Sequence, residues 1–154
     1  NMCDYDHYMR VKESNKRLVN GKYAVFLDIN LPHQSDLALV GLVAVNANHY
    51  YQSLNRFFSR LEQQYGIKIV IAAHPKTSAD ATVFGQRESY RLCTAELVKD
   101  ADFVITHTST ALSYVALNFK PCIFIYTGEM DALYRTSVIK QIRAQAIYLD
   151  SPFA

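Results

Sequence analysis

Short, mostly apolar runs alternate along the chain with longer segments in which apolar residues recur every three to four positions. Short runs of this kind are typical of strands covered on both faces, and they predict strands at residues 22–29, 67–73, 102–106, 121–126 and 146–150. The helical spacing predicts helices at residues 48–65, 88–100, 109–119 and 131–145. Strands that alternate with helices need crossover connections. The pattern therefore predicts one doubly wound α/β domain, with a mainly parallel Rossmann-like sheet and helices on both faces.

Four local patterns refine this outline. Residues 1–20 are polar and tyrosine-rich without a clear period, so we expect an N-terminal arm or a segment that contacts a partner, followed by the domain at residues 21–154. Residues 37–45 are apolar but fit a helix and a strand equally well. Gly66 is expected to end the helix at 48–65. The helix at 109–119 carries a stripe of apolar residues that we expect to be buried, namely Leu112, Val115, Ala116 and Phe119.

The composition limits the class of protein. With 50% hydrophobic and 19% charged residues among 154, the chain has the balance of a globular domain with a real core. A net charge of only +2 predicts no nucleic-acid partner. The longest apolar run is too short to span a bilayer and no secretory signal is evident, so we predict a cytoplasmic protein.

The three cysteines do not indicate a redox or metal site, because the chain has no C-x-x-C motif. We interpret Cys93 and Cys122 as small apolar residues of the core. The histidines and acidic residues also lack the spacing of metal ligands. We therefore expect neither a metal ion nor another cofactor.

Polar and ionisable residues cluster where each predicted strand ends. Open α/β sheets bind ligands at the carboxyl ends of their strands, which makes these positions the candidate site. The residues delivered there are, in chain order, Asp28 and His33, then His74, Pro75 and Lys76, then His107, Thr108, Ser109 and Thr110, and finally Thr127 and Glu129.

The segment T-H-T-S-T, residues 106–110, is the most informative of these ends. It joins a strand directly to a predicted helix, so that Thr108 or Ser109 can cap the helix. The unpaired N–H groups at a helix start, with hydroxyl donors such as Ser109 and Thr110, suit a phosphate. The alternative is simply a well-capped helix.

The strand end at His74 is the second candidate. Pro75 ends the strand and holds the imidazole at its tip, where His74 and Lys76 can donate to a phosphate or ribose oxygen. The alternative is a surface histidine. The motifs G-x-G-x-x-G and G-x-x-x-x-G-K-[ST] are absent, so the sequence predicts a phosphate site without a glycine loop.

The acidic residues of the candidate site are open to two interpretations each. Asp28 or His33 can act as a general base toward an acceptor hydroxyl, or Asp28 can tie down its loop by accepting from backbone N–H groups. Glu129 can accept from ribose hydroxyls, or it can interact favourably with the dipole of the following helix.

At these residues the sequence resembles the C-terminal, donor-binding half of GT-B glycosyltransferases, closest in type to bacterial sialyltransferases, polysialyltransferases and polyol-phosphate polymerases. His74-Pro75 match the HP element of that group, Ser109-Thr110 its hydroxyl pair, and Lys120-Pro121 the entry to the next strand. The resemblance covers residues 67–127 and extends more loosely over 22–150. It implies that the strand-end residues hold the phosphates and sugar of a CMP- or UDP-linked donor.

The resemblance also implies a biological setting. The expected activity is transfer of the sugar to a glycan or other hydroxyl acceptor in the synthesis of bacterial surface polysaccharide. The expected partner is an N-terminal acceptor domain that this sequence does not contain, and the expected location includes the inner face of the cell membrane by peripheral association. Two alternatives stay open, namely a UDP-sugar 2-epimerase-like domain and a non-catalytic Rossmann-like binding or interaction module.

Overall fold

The structure is a computed structural model that describes residues 2–34, 45–77, 81–128, 130 and 138–152. Most of the ambiguous run at 37–45 lies outside the described residues. Glu129 and the first part of the helix predicted at 131–145 lie outside them as well.

The described residues form one sheet of five parallel strands: β1 (Tyr23–Leu27), β2 (Lys68–Ala73), β3 (Ser89–Arg91), β4 (Phe103–Thr106) and β5 (Cys122–Phe124), in the order β3-β2-β1-β4-β5. All five residues of β1 are buried, because β1 pairs with β2 on one side and with β4 on the other. The predicted doubly wound, Rossmann-like α/β fold is confirmed.

Five helices are described around the sheet: α1 (Met2–Glu13), α2 (Ala47–Tyr65), α3 (Thr94–Asp100), α4 (Leu112–Leu117) and α5 (Val138–Tyr148). Phe26 of β1 contacts Phe58 of α2, whereas the hydroxyl of Tyr23 donates to the carbonyl of Leu97 in α3. Successive strand residues face opposite sides, so α2 and α3 cover opposite faces of the sheet.

The boundaries of α2 follow from its end residues. The side chain of Asn46 accepts from the N–H of His49 at 3.1 Å, which satisfies one of the free donors of the first turn. Gly66 ends the helix in the left-handed conformation with φ 61°, as predicted, because glycine adopts that conformation without steric cost.

Residues 2–13 form helix α1, which packs on this same domain. Tyr8 and Val11 are buried, and the ammonium of Lys99 in α3 donates to the carbonyl of Ser14 at 2.6 Å. A cation at a helix C-terminus interacts favourably with the carbonyls that lack helical partners. The assignment of residues 1–20 to a partner contact stays a prediction.

Three sequence predictions are wrong in part. Residues 88–100 do not form one helix, because Ser89–Arg91 pair with β2 as an edge strand before α3 begins. The helix predicted at 109–119 is limited to Leu112–Leu117. Phe119 lies beyond its end and is exposed, and Ala116 is exposed within it, so neither residue is buried as predicted. The segment predicted as a strand at 146–150 is instead the end of α5 and the turn that follows it. Beyond this turn, the Pro152 carbonyl accepts from the N–H of Phe124 in β5.

No helix among the described residues has the length and apolar character needed to cross a membrane.

Candidate functional site

The strand order places a topological switch point between β1 and β4, the position at which open α/β sheets form a ligand-binding crevice. Beyond β1 the chain builds β2 and β3 on one side, and it then returns to add β4 and β5 on the other side. The connection after β1 runs to one side of the sheet, toward β2, and the connection after β4 runs to the other side, toward β5. Ligands of open α/β sheets bind where neighbouring connections diverge in this way. The residues after Leu27 and after Thr106 therefore border the candidate site.

Asp28 connects the ends of β1 and β2. Its carboxylate is 5% exposed and accepts from the N–H of Asn30 at 2.8 Å through one oxygen. The other oxygen accepts from the hydroxyl of Thr77 at 2.6 Å and from the N–H of His74 at 3.2 Å. Asp28 thus ties down two loops, and a role as general base stays a prediction.

His74, Pro75 and Lys76 form a tight turn at the end of β2. The carbonyl of His74 accepts from the N–H of Thr77 at 2.9 Å, and proline is favoured at the second position of such turns. The Nδ1 atom of His74 accepts from the N–H of Lys76 at 3.1 Å, so in the neutral ring the proton is on Nε2. Pro75 and Lys76 are exposed at the tip of the turn. The Nε2–H group of His74 is a hydrogen-bond donor at the carboxyl edge of the sheet.

His107 is a buried part of the framework at the end of β4. The Nδ1 atom lies 2.7 Å from the carbonyl oxygen of Ile125 and Nε2 lies 2.9 Å from the hydroxyl of Tyr50. Since a carbonyl only accepts, Nδ1 donates and the Tyr50 hydroxyl donates to Nε2. Both nitrogens therefore have protein partners, and His107 positions the ends of β4 and β5. The predicted contact of His107 with a ligand stays a prediction.

Burial changes the acid–base behaviour of His107. Desolvation lowers its pKa to about 4, even though the bond to the Ile125 carbonyl and the charge of Asp28 favour the protonated form. An ion without water is strongly disfavoured. The ring is therefore neutral at physiological pH.

The loop from Thr108 to Ala111 replaces the helix start that the sequence predicts there. Helix α4 begins at Leu112, and its cap residue Ala111 has no side-chain cap bond. Instead the hydroxyl of Ser109 accepts from the N–H of Ala111 at 3.1 Å, within a tight turn. The capping role predicted for Thr108 or Ser109 is therefore wrong, because the chain makes a local serine turn before it becomes helical.

Because the helix begins only at Leu112, the phosphate contact predicted at this loop would involve hydroxyls and loop N–H groups instead of a helix start. Thr108 and Ser109 are half-buried and Thr110 is exposed, so the side chains border the crevice with different access to solvent. A six-residue helix supplies little dipole. The predicted contacts of Ser109 and Thr110 with a phosphate stay predictions.

Half of the unsatisfied buried side-chain oxygens among the described residues lie at this edge of the sheet. Among the described residues, six buried side-chain atoms have no hydrogen-bond partner, and three of them are Asn30 Oδ1, Thr106 Oγ1 and Thr127 Oγ1. These follow or end β1, β4 and β5. Because an unpaired buried polar atom costs about 1–3 kcal/mol, such atoms mark a site where a bound group can complete the hydrogen bonding.

The remaining predicted residues lie less centrally. His33 is exposed on the short 3₁₀ turn Leu31–His33 beyond β1, and Glu129 lies outside the described residues. His74 and Ser109 follow strands separated by β1, and neighbouring strands are about 4.8 Å apart. The two backbones are thus about 10 Å apart. A single phosphate group is too small to contact both easily, whereas an extended ligand can contact both.

Two residues of the site framework escape sequence analysis. Thr77 holds the turn at His74 through Asp28, and Tyr50 holds His107. Thr77 has the ordinary signature of a polar loop, and Tyr50 belongs to the apolar stripe of α2. Only their contacts in the folded chain reveal them, because Thr77 is 49 residues from Asp28 and Tyr50 is 57 residues from His107 in the sequence.

Within the part of the chain that the structure describes, no group of three or more histidine, cysteine or acidic side chains is placed to hold a metal ion.

Comparisons with known proteins found no matching family model and no matching curated protein. Among solved structures, the glycosyltransferase SnogD from Streptomyces nogalater aligns with 89% of the chain at 13% identity and a TM-score of 0.48. The UDP-GlcNAc 2-epimerase of Methanocaldococcus jannaschii, solved with UDP-GlcNAc and UDP, aligns with 98% at 14% identity and a TM-score of 0.45.

The heptosyltransferase WaaC of E. coli, solved with ADP, aligns with 84% of the chain at 18% identity and a TM-score of 0.40. The alignments cover 32%, 42% and 46% of the three proteins, in the same order. The chain thus spans less than half the length of each.

Proposed function

We propose that this chain is the donor-binding domain of a two-domain glycosyltransferase and holds a CMP- or UDP-linked sugar across the crevice between β1 and β4. The single observation that carries the proposal is the set of unsatisfied buried oxygens at Asn30, Thr106 and Thr127, which lie at one edge of a doubly wound sheet. The sequence resemblance of residues 67–127 supports the same assignment.

The proposed ligand contacts follow the order of the strands. Ser109 and Thr110 donate their hydroxyls to the phosphates, and His74 Nε2–H and the ammonium of Lys76 donate to another part of the donor, about 10 Å away along the edge. Thr127 and Glu129 accept from the ribose. A nucleotide joined to a sugar is long enough to reach both ends, which supports an extended donor over free phosphate.

The proposed catalytic contribution is electrostatic. Negative charge develops on the phosphate as the sugar leaves, and donors already oriented toward it stabilise that charge without reorganisation. Asp28 or His33 is the proposed base toward the acceptor, and the proposed acceptor is a glycan in surface polysaccharide synthesis. An N-terminal acceptor domain of the same protein completes the proposed enzyme.

Isothermal titration calorimetry with CMP, UDP, CDP and GDP tests the proposal. We expect at least one nucleotide to bind, and we expect the Ser109→Ala/Thr110→Ala variant to bind it at least tenfold more weakly, since each lost donor to a charged oxygen is worth roughly 1.5–3 kcal/mol. Ser89→Ala is the matched control, because this exposed serine begins β3, the outer strand on the side of the sheet away from β4. Binding of none of the four nucleotides refutes the donor-domain assignment, and unchanged binding in the double variant refutes the site.

A further inference from the structure

Arg91 adds a cation to the candidate site from the outer strand of the sheet. It is the last residue of β3 and pairs with Ala73, the last residue of β2. Because β2 and β3 are parallel, both residues stand at the carboxyl edge of the sheet. Arg91 is exposed, so a ligand that reaches the turn at residues 74–77 can also reach its side chain.

The guanidinium of Arg91 is held against that turn. Its Nη2 atom donates to the carbonyl of Thr77, and Thr77 is itself fixed by bonds to the His74 carbonyl and to the carboxylate of Asp28. Among the described residues this is the only hydrogen bond that Arg91 makes. A guanidinium carries five N–H donors in a rigid planar fork, so one bond orients the group and leaves other donors for a ligand.

Positive charge collects around the turn. Lys76 is exposed at its tip, and His74 supplies an Nε2–H donor beside it. The salt bridges formed within the described part of the chain include neither Lys76 nor Arg91. The carboxylate below the turn, Asp28, already accepts three hydrogen bonds. Two cations against one carboxylate leave a net positive charge, which suits an oxyanion.

We propose that Arg91 and the turn at residues 74–77 bind a carboxylate on the sugar of the donor. The inference rests on the proposed function, which assigns the phosphates to Ser109 and Thr110, and it makes the substrate a nucleotide-linked sugar acid. A guanidinium and a carboxylate pair through two parallel hydrogen bonds. Lys76 contributes a second positive charge and His74 a neutral donor.

The separation of the two ends of the site favours a sugar carboxylate over a second phosphate. The turn follows β2 and Ser109 follows β4, and β1 lies between these strands, so the two backbones are about 10 Å apart. Adjacent phosphates of a nucleoside diphosphate share one oxygen atom, which keeps both of them at one end of the site. A carboxylate on the sugar is separated from the phosphates by carbon atoms of the sugar and can reach the other end.

Isothermal titration calorimetry with two matched pairs of ligands tests the proposal. UDP-glucuronate and UDP-glucose differ only in a carboxylate and a hydroxymethyl group, and CMP-N-acetylneuraminate differs from its methyl ester only at the carboxylate. We expect the acidic member of at least one pair to bind about tenfold or more tightly than the neutral member, because hydrogen bonds to a charged group are the strong ones.

Substitutions of Arg91 separate carboxylate binding from support of the turn. We expect Arg91→Gln to abolish the preference for the acidic member while the neutral member binds as before. Arg91→Lys keeps the charge but loses the planar fork, so it should retain part of the preference. Arg60→Gln is the matched control, because this exposed arginine lies in the last turns of α2, which lead to the amino end of β2. It should keep the full preference.

Three outcomes count against the proposal. Arg91→Gln that weakens both members of a pair equally overturns it, because Arg91 then only fastens the turn at Thr77. Equal affinities of the wild type for the two members of each pair also overturn it, while the proposed function survives, since nucleotide-linked sugars still bind. Binding of none of the four ligands, together with none of the free nucleotides, refutes the proposed function and the inference with it.

Discussion

At the scale of single residues, Asp28 organises the candidate site by satisfying donors of two loops. Its oxygens accept from the N–H of Asn30, the N–H of His74 and the hydroxyl of Thr77. A buried carboxylate needs such donors in place of the water that it loses. The geometry of the turn at His74 is therefore coupled to a residue that lies 46 positions earlier in the chain.

Thr77→Val tests this coupling. The substitution keeps the shape of the side chain but removes the hydroxyl that donates to Asp28 at 2.6 Å, which should lower the free energy of unfolding by about 1–3 kcal/mol. Urea denaturation measures the loss. Thr77→Ser, which keeps the donor, should recover most of the stability, and equal losses in the two variants would contradict the role of the hydroxyl.

His107 predicts a specific dependence of stability on pH. Its pKa is about 4 in the folded protein and near 6.5 in the unfolded chain, so the unfolded state binds the extra proton between these values. The stabilisation is therefore complete above pH 6.5 and is lost as the pH falls toward 4, by up to about 1.4 kcal/mol for each pH unit.

Denaturation measured from pH 7 to pH 4 checks this dependence, with His107→Gln as the comparison. The glutamine variant lacks the titrating group, so its stability should fall less steeply over the same range. Identical slopes for the two proteins would exclude His107 as the source.

At the scale of elements, the helix ends explain both the confirmed and the incorrect boundaries. Helix α2 has an asparagine cap and a glycine stop, and the sequence predicts it almost to the residue. Helix α4 ends at Leu117 although the apolar stripe continues to Phe119. A periodic stripe predicts which face of a helix is buried only for as long as the helix continues.

Asn46→Ala tests the contribution of the α2 cap. The substitution removes the oxygen that accepts from the His49 N–H and should lower the free energy of unfolding by about 1 kcal/mol. Thermal denaturation measures the change. Asn46→Asp and Asn46→Ser retain a capping oxygen and should stay close to the wild type, so a loss as large as that of alanine would contradict the capping mechanism.

At the scale of the whole molecule, the sequence predicts the sheet well because its central strands are apolar on both faces. Ser89–Arg91 escape prediction because this edge strand is largely polar and exposed, whereas the other three-residue edge strand, β5, belongs to an apolar run. The candidate edge is predictable from the rule for parallel sheets, whereas the functions of Thr77, Tyr50 and His107 depend on contacts between distant segments. His107 shows the limit best, since the same residue type suits a ligand contact and a buried framework.

The central position of β1 has a consequence for synthesis of the chain. Strand β1 can pair with β2 as soon as Ala73 has been made, but its other edge stays unpaired until β4 emerges, about 75 residues after Leu27. At about 5–20 residues per second, the ribosome needs roughly 4–15 s to make that length. During this time the most buried strand of the finished protein is an exposed apolar edge, the kind of surface on which nascent chains aggregate and which chaperones cover.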